Sequence, residues 1–277
     1  MNILNLKKLS RKDVADCCQK PNYKTEGNWM VRTFLRDWAV PCTWICLKAG
    51  ITANQVTTAS IVVAFVGAFM LTSFSPVYYF LGCVFLQLWY YLDHVDGQIA
   101  RVSGTASLSG RFFDFIMHHA VHGIVIYCSG LFLVYFYDQA LFAVLAGISA
   151  ISIMVFNVCP DTEFKVFGEA LRKQQGSAFV VFPNCDAASS AKIKAASAAK
   201  SFFSFIHKIN EIHVVINVFT AVALASLWMD IFDLRIVLSV FYFVSPVFLA
   251  GVRVFYIVRN KIVDLKFQEN FKNISGN

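Results

Sequence analysis

Three carboxylates, Asp93, Asp96 and Asp114, stand between two long apolar runs, 77–92 and 115–136. This placement constrains the chain more than any other feature. Apolar runs of this kind read as membrane-crossing helices. An ionised side chain at the centre of a bilayer costs about 3 kcal/mol on insertion scales. Three in one neighbourhood need a partner that offsets that cost. Arg101 and Arg111 are too few to make a self-contained charge cluster, and nothing in the apolar runs neutralises the three acids. A divalent cation would.

The spacing agrees. Asp93 and Asp96 are three apart and share a helix face, while Asp114 and His118 are four apart at the start of the next span. Two helices joined by a short loop can aim both pairs into one pocket. Oxygen ligands of this type suit Mg²⁺, Mn²⁺ or Ca²⁺. Gly97 and Ala100 lie about one turn beyond the first pair, and Gly110 lies one turn before Asp114. Their small side chains leave room for a flat group to approach the backbone.

These residues carry a family resemblance. The pattern Asp-x-x-Asp-Gly-x-x-Ala-Arg-x8-Gly-x3-Asp-x3-Asp marks the CDP-alcohol phosphotransferase family, and the chain resembles it from Asp93 through Asp114 with every spacing intact. It departs at the last position, where His118 replaces the fourth Asp. The resemblance implies six transmembrane helices, a site with two divalent cations facing the cytosol, and transfer of a phospho-alcohol group with loss of CMP. It also implies a homodimer. Asp93, Asp96 and Asp114 would hold Mg²⁺ or Mn²⁺, with Asp96 bridging, and Gly97, Ala100 and Gly110 would leave space for the cytidine. Arg101 would pair with a phosphate or with one of the aspartates; both readings stay open.

His118 takes the place of the family's general base. Neutral imidazole is a competent base near pH 7 but a poorer Mg²⁺ ligand than carboxylate, so a ligating His118 would tilt the site toward Mn²⁺. The bland alternative makes His118 a polar helix residue. His122 shares the His118 face but lies deeper, where hydrogen bonding to a neighbouring helix is the favoured expectation. Two substrate layouts fit equally: CDP-diacylglycerol giving a phosphatidyl group to a small alcohol, or a soluble CDP-alcohol giving its head group to a lipid or glycan hydroxyl. A non-catalytic membrane protein that binds CDP-lipid or metal is the alternative from another class. A charge network that merely pins two helices is the bland one.

The rest of the 277-residue chain, 57% hydrophobic and 15% charged, supports an all-α polytopic membrane protein. Spans are expected at about 57–73, 78–99, 112–136, 141–158, 212–229 and 236–257. The net charge of +7 does not indicate nucleic acid, because no basic and aromatic residues interleave in the manner of a nucleic-acid groove. Lys and Arg instead gather in the N-terminal segment, the 101–111 loop, 160–208 and the C-terminal end, with Arg235 the exception. That asymmetry places both termini and the aspartates in the cytosol and basic residues against anionic headgroups. Lys165, Arg172 and Lys173 fit the same topological reading, ahead of a role in binding an acceptor. A transporter would need polar residues across the bilayer, whereas these charges cluster at one face.

Residues 1–50 read as a cytosolic segment and an amphipathic interfacial helix, interrupted at Pro41, and 51–277 as the catalytic membrane domain with a cytosolic connection at 160–208. No signal peptide is expected in the first 28 residues. Thr52 or Asn54 would cap the first span. The eight cysteines form no CxxC and are read as reduced and apolar.

Overall fold

The computed structural model describes residues 6–19, 30–176, 204–228 and 233–271, and these are helical with no strand among them. In chain order the helices are α1 (Arg11–Cys17), α2 (Arg36–Ala49, entered through a π-helical turn Val31–Leu35), α3 (Ala53–Met70), α4 (Pro76–Ser103), α5 (Leu108–Tyr137), α6 (Leu141–Gly176), α7 (Ile212–Ser226), α8 (Leu234–Arg259) and α9 (Ile262–Phe271). Four stretches are long and apolar enough to cross a bilayer: α3, α5, Leu141–Arg172 of α6, and α8. Large apolar side chains such as Val62, Phe69, Ile151 and Phe248 face outward on them. The chain is thus an all-α membrane protein. Helix α7 is apolar but has only 15 residues, and α4 carries too many polar groups to meet the same standard.

Helix α4 is the axis on which the site depends. Pro76 opens it, where its missing N–H costs nothing. Gly104, at φ +69°, closes it in the left-handed conformation that glycine tolerates best. Its 28 residues span about 42 Å at 1.5 Å per residue. That exceeds a hydrocarbon core of about 30 Å, so its ends reach polar surroundings. Near its start it crosses α3 at backbone contact. A Cβ on Gly82 would lie 2.7 Å from the Gly67 carbonyl oxygen, and one on Gly67 would lie 2.8 Å from that of Gly82. Small residues allow such close approach, which in lipid supplies the packing that water would otherwise drive. Around this crossing, Tyr79 stacks on Phe219 with ring centroids 6.3 Å apart, and Phe219 meets Tyr242 at 5.4 Å. These rings join α4 to α7 and α8.

A second, smaller core lies under the far end of α4. Leu6, Val14 and Cys18 from the N-terminal segment meet Ala39, Val40 and Leu47 of α2 and Val95, Ile99 and Val102 of α4. Helix α1 has 7 residues, too few to persist alone, so its docking sustains it. Ser10 caps it by accepting from Asp13 N at 3.2 Å, while Asp13 accepts from Ser10 N at 2.8 Å. Burial of Val14 contributes about 1.5 kcal/mol.

Two helices differ from the expectations above at their prolines. Helix α2 passes through Pro41 without a break, directly after the π-helical turn. Such wide turns accommodate irregular helix geometry. Helix α6 does not stop near Pro160 but continues to Gly176. Its extension is held from a distance: Lys266 Nζ donates to Glu163 Oε2 at 2.6 Å, and Phe167 packs on Phe267 at 5.5 Å. The part of the 160–208 connection at 177–203 lies outside the described residues.

Candidate metal centre

The short loop 104–107 joins α4 to α5, and the two helices meet through side chains, His118 of α5 reaching Asp93 and Trp89 of α4. Ser107 starts α5 by accepting from Gly110 N at 3.0 Å. Asp93 is thereby set opposite His118, whose Nε2 lies 2.8 Å from Asp93 Oδ1 and 3.5 Å from Asp114 Oδ1. Asp93, Asp114 and His118 each offer a ligand atom, and these atoms lie within 4.8 Å of one another. All three side chains are partly exposed, so the cluster is open at one side. Among the described residues, the ion-pair partners of Asp93 and Asp114 are histidines; no Lys or Arg reaches them. Two carboxylates around one imidazole form a charge-deficient set of oxygen and nitrogen donors. That donor set fits a divalent cation, with the nitrogen favouring Mn²⁺ over Mg²⁺.

Asp96 is buried on the same helix face but bonds toward α3, not into that group of three. Its Oδ2 accepts from Thr57 Oγ1 at 2.6 Å. It remains within electrostatic reach of both Asp93 and Asp114. Arg101 gives its Nε to the Cys18 carbonyl oxygen at 2.6 Å. Its guanidinium covers Gly97, whose notional Cβ would lie 3.2 Å from Nη1. A Cβ on Gly110 would meet only Ser107 Oγ, at 3.2 Å, with nothing else within 4 Å. Ala100 lies half-buried in the last turn of α4, its carbonyl accepting from Thr105 N at 3.0 Å. Gly110 therefore has open space beside it, whereas the space over Gly97 is taken by the Arg101 guanidinium.

Several contacts around the pocket were invisible in the sequence. Gln98 is fully buried, accepts from Thr43 Oγ1 at 2.8 Å and donates to the Arg36 carbonyl at 2.7 Å, tying α2 to α4. Trp89 sits against the His118 ring at 5.2 Å. His94 donates through Nδ1 to the Tyr90 carbonyl at 2.9 Å. His122 is buried, and its Nδ1 accepts from Asn157 Nδ2 of α6 at 2.9 Å, as the helix-pinning expectation holds. His119 turns to Asp161 at 3.3 Å. The cap of α3 is Thr52, in a reciprocal pair with Gln55.

No curated protein matches the chain. A model of one family, the CDP-alcohol phosphatidyltransferases, matches residues 50–225. That stretch contains α3, α4, α5 and α6, and so every residue of the cluster just described. The chain belongs to the CDP-alcohol phosphatidyltransferase family.

Proposed function

We propose that this protein transfers a phospho-alcohol group from a CDP-alcohol to an acceptor hydroxyl and releases CMP, in phospholipid or glycolipid synthesis. The family implies the donor class and an alcohol acceptor. The observation that carries the reading is the convergence of Asp93, Asp114 and His118 across α4 and α5, with no Lys or Arg among the described residues to neutralise the two acids. In this reading Asp93, Asp96, Asp114 and His118 hold two divalent cations. Asp96 turns from Thr57 to join them, and Gly97, Ala100, Arg101 and Gly110 receive the nucleotide. Bound there, the cations supply charge neutralisation to the diphosphate and the departing CMP. Helices α4 and α7 complete six spans, with the pocket and both termini on the cytosolic side.

His118 has two candidate roles that compete for one atom. With a proton on Nε2 donated to Asp93, the ring is held in one tautomer and Nδ1 keeps a lone pair for the acceptor proton. With Nε2 as a ligand, the ring proton sits on Nδ1 and the base function passes to another group. One ring cannot do both in the same tautomer.

The test is CMP release by purified protein from a panel of CDP-alcohols with Mg²⁺ or Mn²⁺, with Asp96→Ala as the control. His118→Ala should lower turnover by about 100-fold, the size of a general-base contribution, with little loss of nucleotide binding. His118→Asp should retain turnover and shift preference from Mn²⁺ toward Mg²⁺ if His118 ligates. Retained CDP binding without release from any donor would replace the enzyme with a non-catalytic binding protein.

A further inference from the structure

We propose that the N-terminal segment, residues 6–19, is a working part of the nucleotide site: it clamps Arg101 over Gly97 through the Cys18 carbonyl. The proposal rests on the donor assignment above, because Arg101 and Gly97 are where the nucleotide is placed. Nothing in the family match, which starts at residue 50, includes this segment.

The chain of contacts is continuous. Arg101 lies in the last turn of α4, where a long side chain would otherwise swing freely in solvent. Its Nε instead donates to the Cys18 carbonyl at 2.6 Å. Cys18 caps the C-terminal end of α1, where unpaired carbonyls and the helix dipole both favour a cation. With Nε fixed, the other guanidinium nitrogens project over Gly97, Nη1 being 3.2 Å from the position of its notional Cβ. A guanidinium presents donors in a planar fork that matches phosphate oxygens, and anchoring one edge pre-organises the other. The side chain is also within electrostatic reach of Asp96, so it stands between the acids and the N-terminal segment.

The carbonyl is itself held. Val14 and Cys18 are fully buried against α2 and α4. Trp44 Nε1 donates to the Leu9 carbonyl at 3.0 Å, and Gln19 Nε2 reaches the Arg36 carbonyl at 3.5 Å. Four contacts from two neighbouring helices thus fix a segment that is too short to fold by itself. If the segment lifts away, Arg101 loses its anchor but nothing in the Asp93, Asp114 and His118 cluster moves with it. Cys18 is accordingly a positioning residue through its backbone, acting on the donor and not on the cations.

CDP binding to the purified full chain with Mn²⁺, by calorimetry, tests this without requiring turnover. Val14→Asp undocks the segment and should weaken CDP about 10-fold, the lower end for an oriented hydrogen bond to a charged group. Trp44→Phe removes one indole N–H without adding charge and should weaken CDP about 2- to 3-fold; it carries the test if Val14→Asp does not fold. In an Arg101→Ala background neither change should weaken CDP further, which a merely destabilising change would still do. By linkage, CDP should slow amide exchange at residues 11–18 in the wild type but not in Arg101→Ala. Unchanged CDP affinity in folded Val14→Asp or Trp44→Phe, or equal losses with and without Arg101, overturns the clamp and leaves the enzyme reading standing. A wild-type protein that binds no CDP removes the donor assignment and the clamp together.

Discussion

The two ends of α4 both bring charge to a membrane helix bundle, and they handle it in opposite ways. At the starting end, Arg235 is buried but fully answered. Asp233 accepts from it at 2.6 and 2.8 Å, the Phe74 carbonyl accepts at 2.9 Å, and the rings of Tyr79 and Phe132 lie within 5.4 and 5.1 Å of the guanidinium. This explains the one basic residue that broke the positive-inside pattern: its charge is cancelled where it sits. At the other end, among the described residues, Asp93 and Asp114 share the imidazole of His118, and the His94 ring, 3.8 Å from Asp93, is the one other ion-pair partner. The first arrangement is complete as it stands, and structural ion pairs look like this. The second is short of positive charge by construction, and sites that recruit a cation look like that. Charge near a bilayer is therefore informative mainly through whether its partners are already present.

That contrast can be broken experimentally, and the largest effect should come from the deficient end. Asp93→Ala should lower CMP release by about 10³-fold, comparable to losing a preorganised charge-stabilising group, with the Tm in detergent unchanged or raised. A lowered Tm would mean that the acids serve the fold. Next, Asp233→Ala should destabilise by about 3 kcal/mol because it strands a buried guanidinium. Replacing Asp233 and Arg235 together, by Ala and Leu, should cost less than Asp233→Ala alone, as read from thermal unfolding. Third, the two glycines of α4 should differ. Gly82→Ala forces its Cβ against the Gly67 carbonyl and should cost about 1–3 kcal/mol. Gly97→Ala meets the end of the Arg101 side chain and no backbone, so it should lower the Tm less than Gly82→Ala while weakening CDP. The smallest effect should be Lys266→Ala, about 1 kcal/mol: its side chain is half exposed, which weakens the pair, while the buried Glu163 it leaves keeps the cost from vanishing.

What could be read beforehand follows chain distance. Asp93 and His118 are 25 positions apart and lie on consecutive helices, so local spacing was enough to bring them together. The partner of Asp96 was not legible. Thr57 is 39 positions away, and its position depends on how closely α3 and α4 cross, which the Gly67 and Gly82 contact sets. Glycine is an ambiguous letter: Gly82 and Gly97 look alike in a helical run, yet one touches the backbone of α3 and the other lies under the guanidinium of Arg101. Pro160 reads as a stop, but Glu163 and Phe167 find partners about a hundred positions later that keep α6 going. The contacts of Gln98 were not legible either, because Thr43 and Arg36, which occupy it, come from the segment read as an interfacial helix.

The short link between α4 and α5 bears on how the protein is made. Everything from Thr57 to His118 that surrounds the pocket emerges from the ribosome before α6 begins. A hairpin closed by 104–107 can pair its two polar faces as soon as both helices have left the translocation machinery. The acids would then never face lipid alone during biogenesis, and later helices would arrive around a site already assembled.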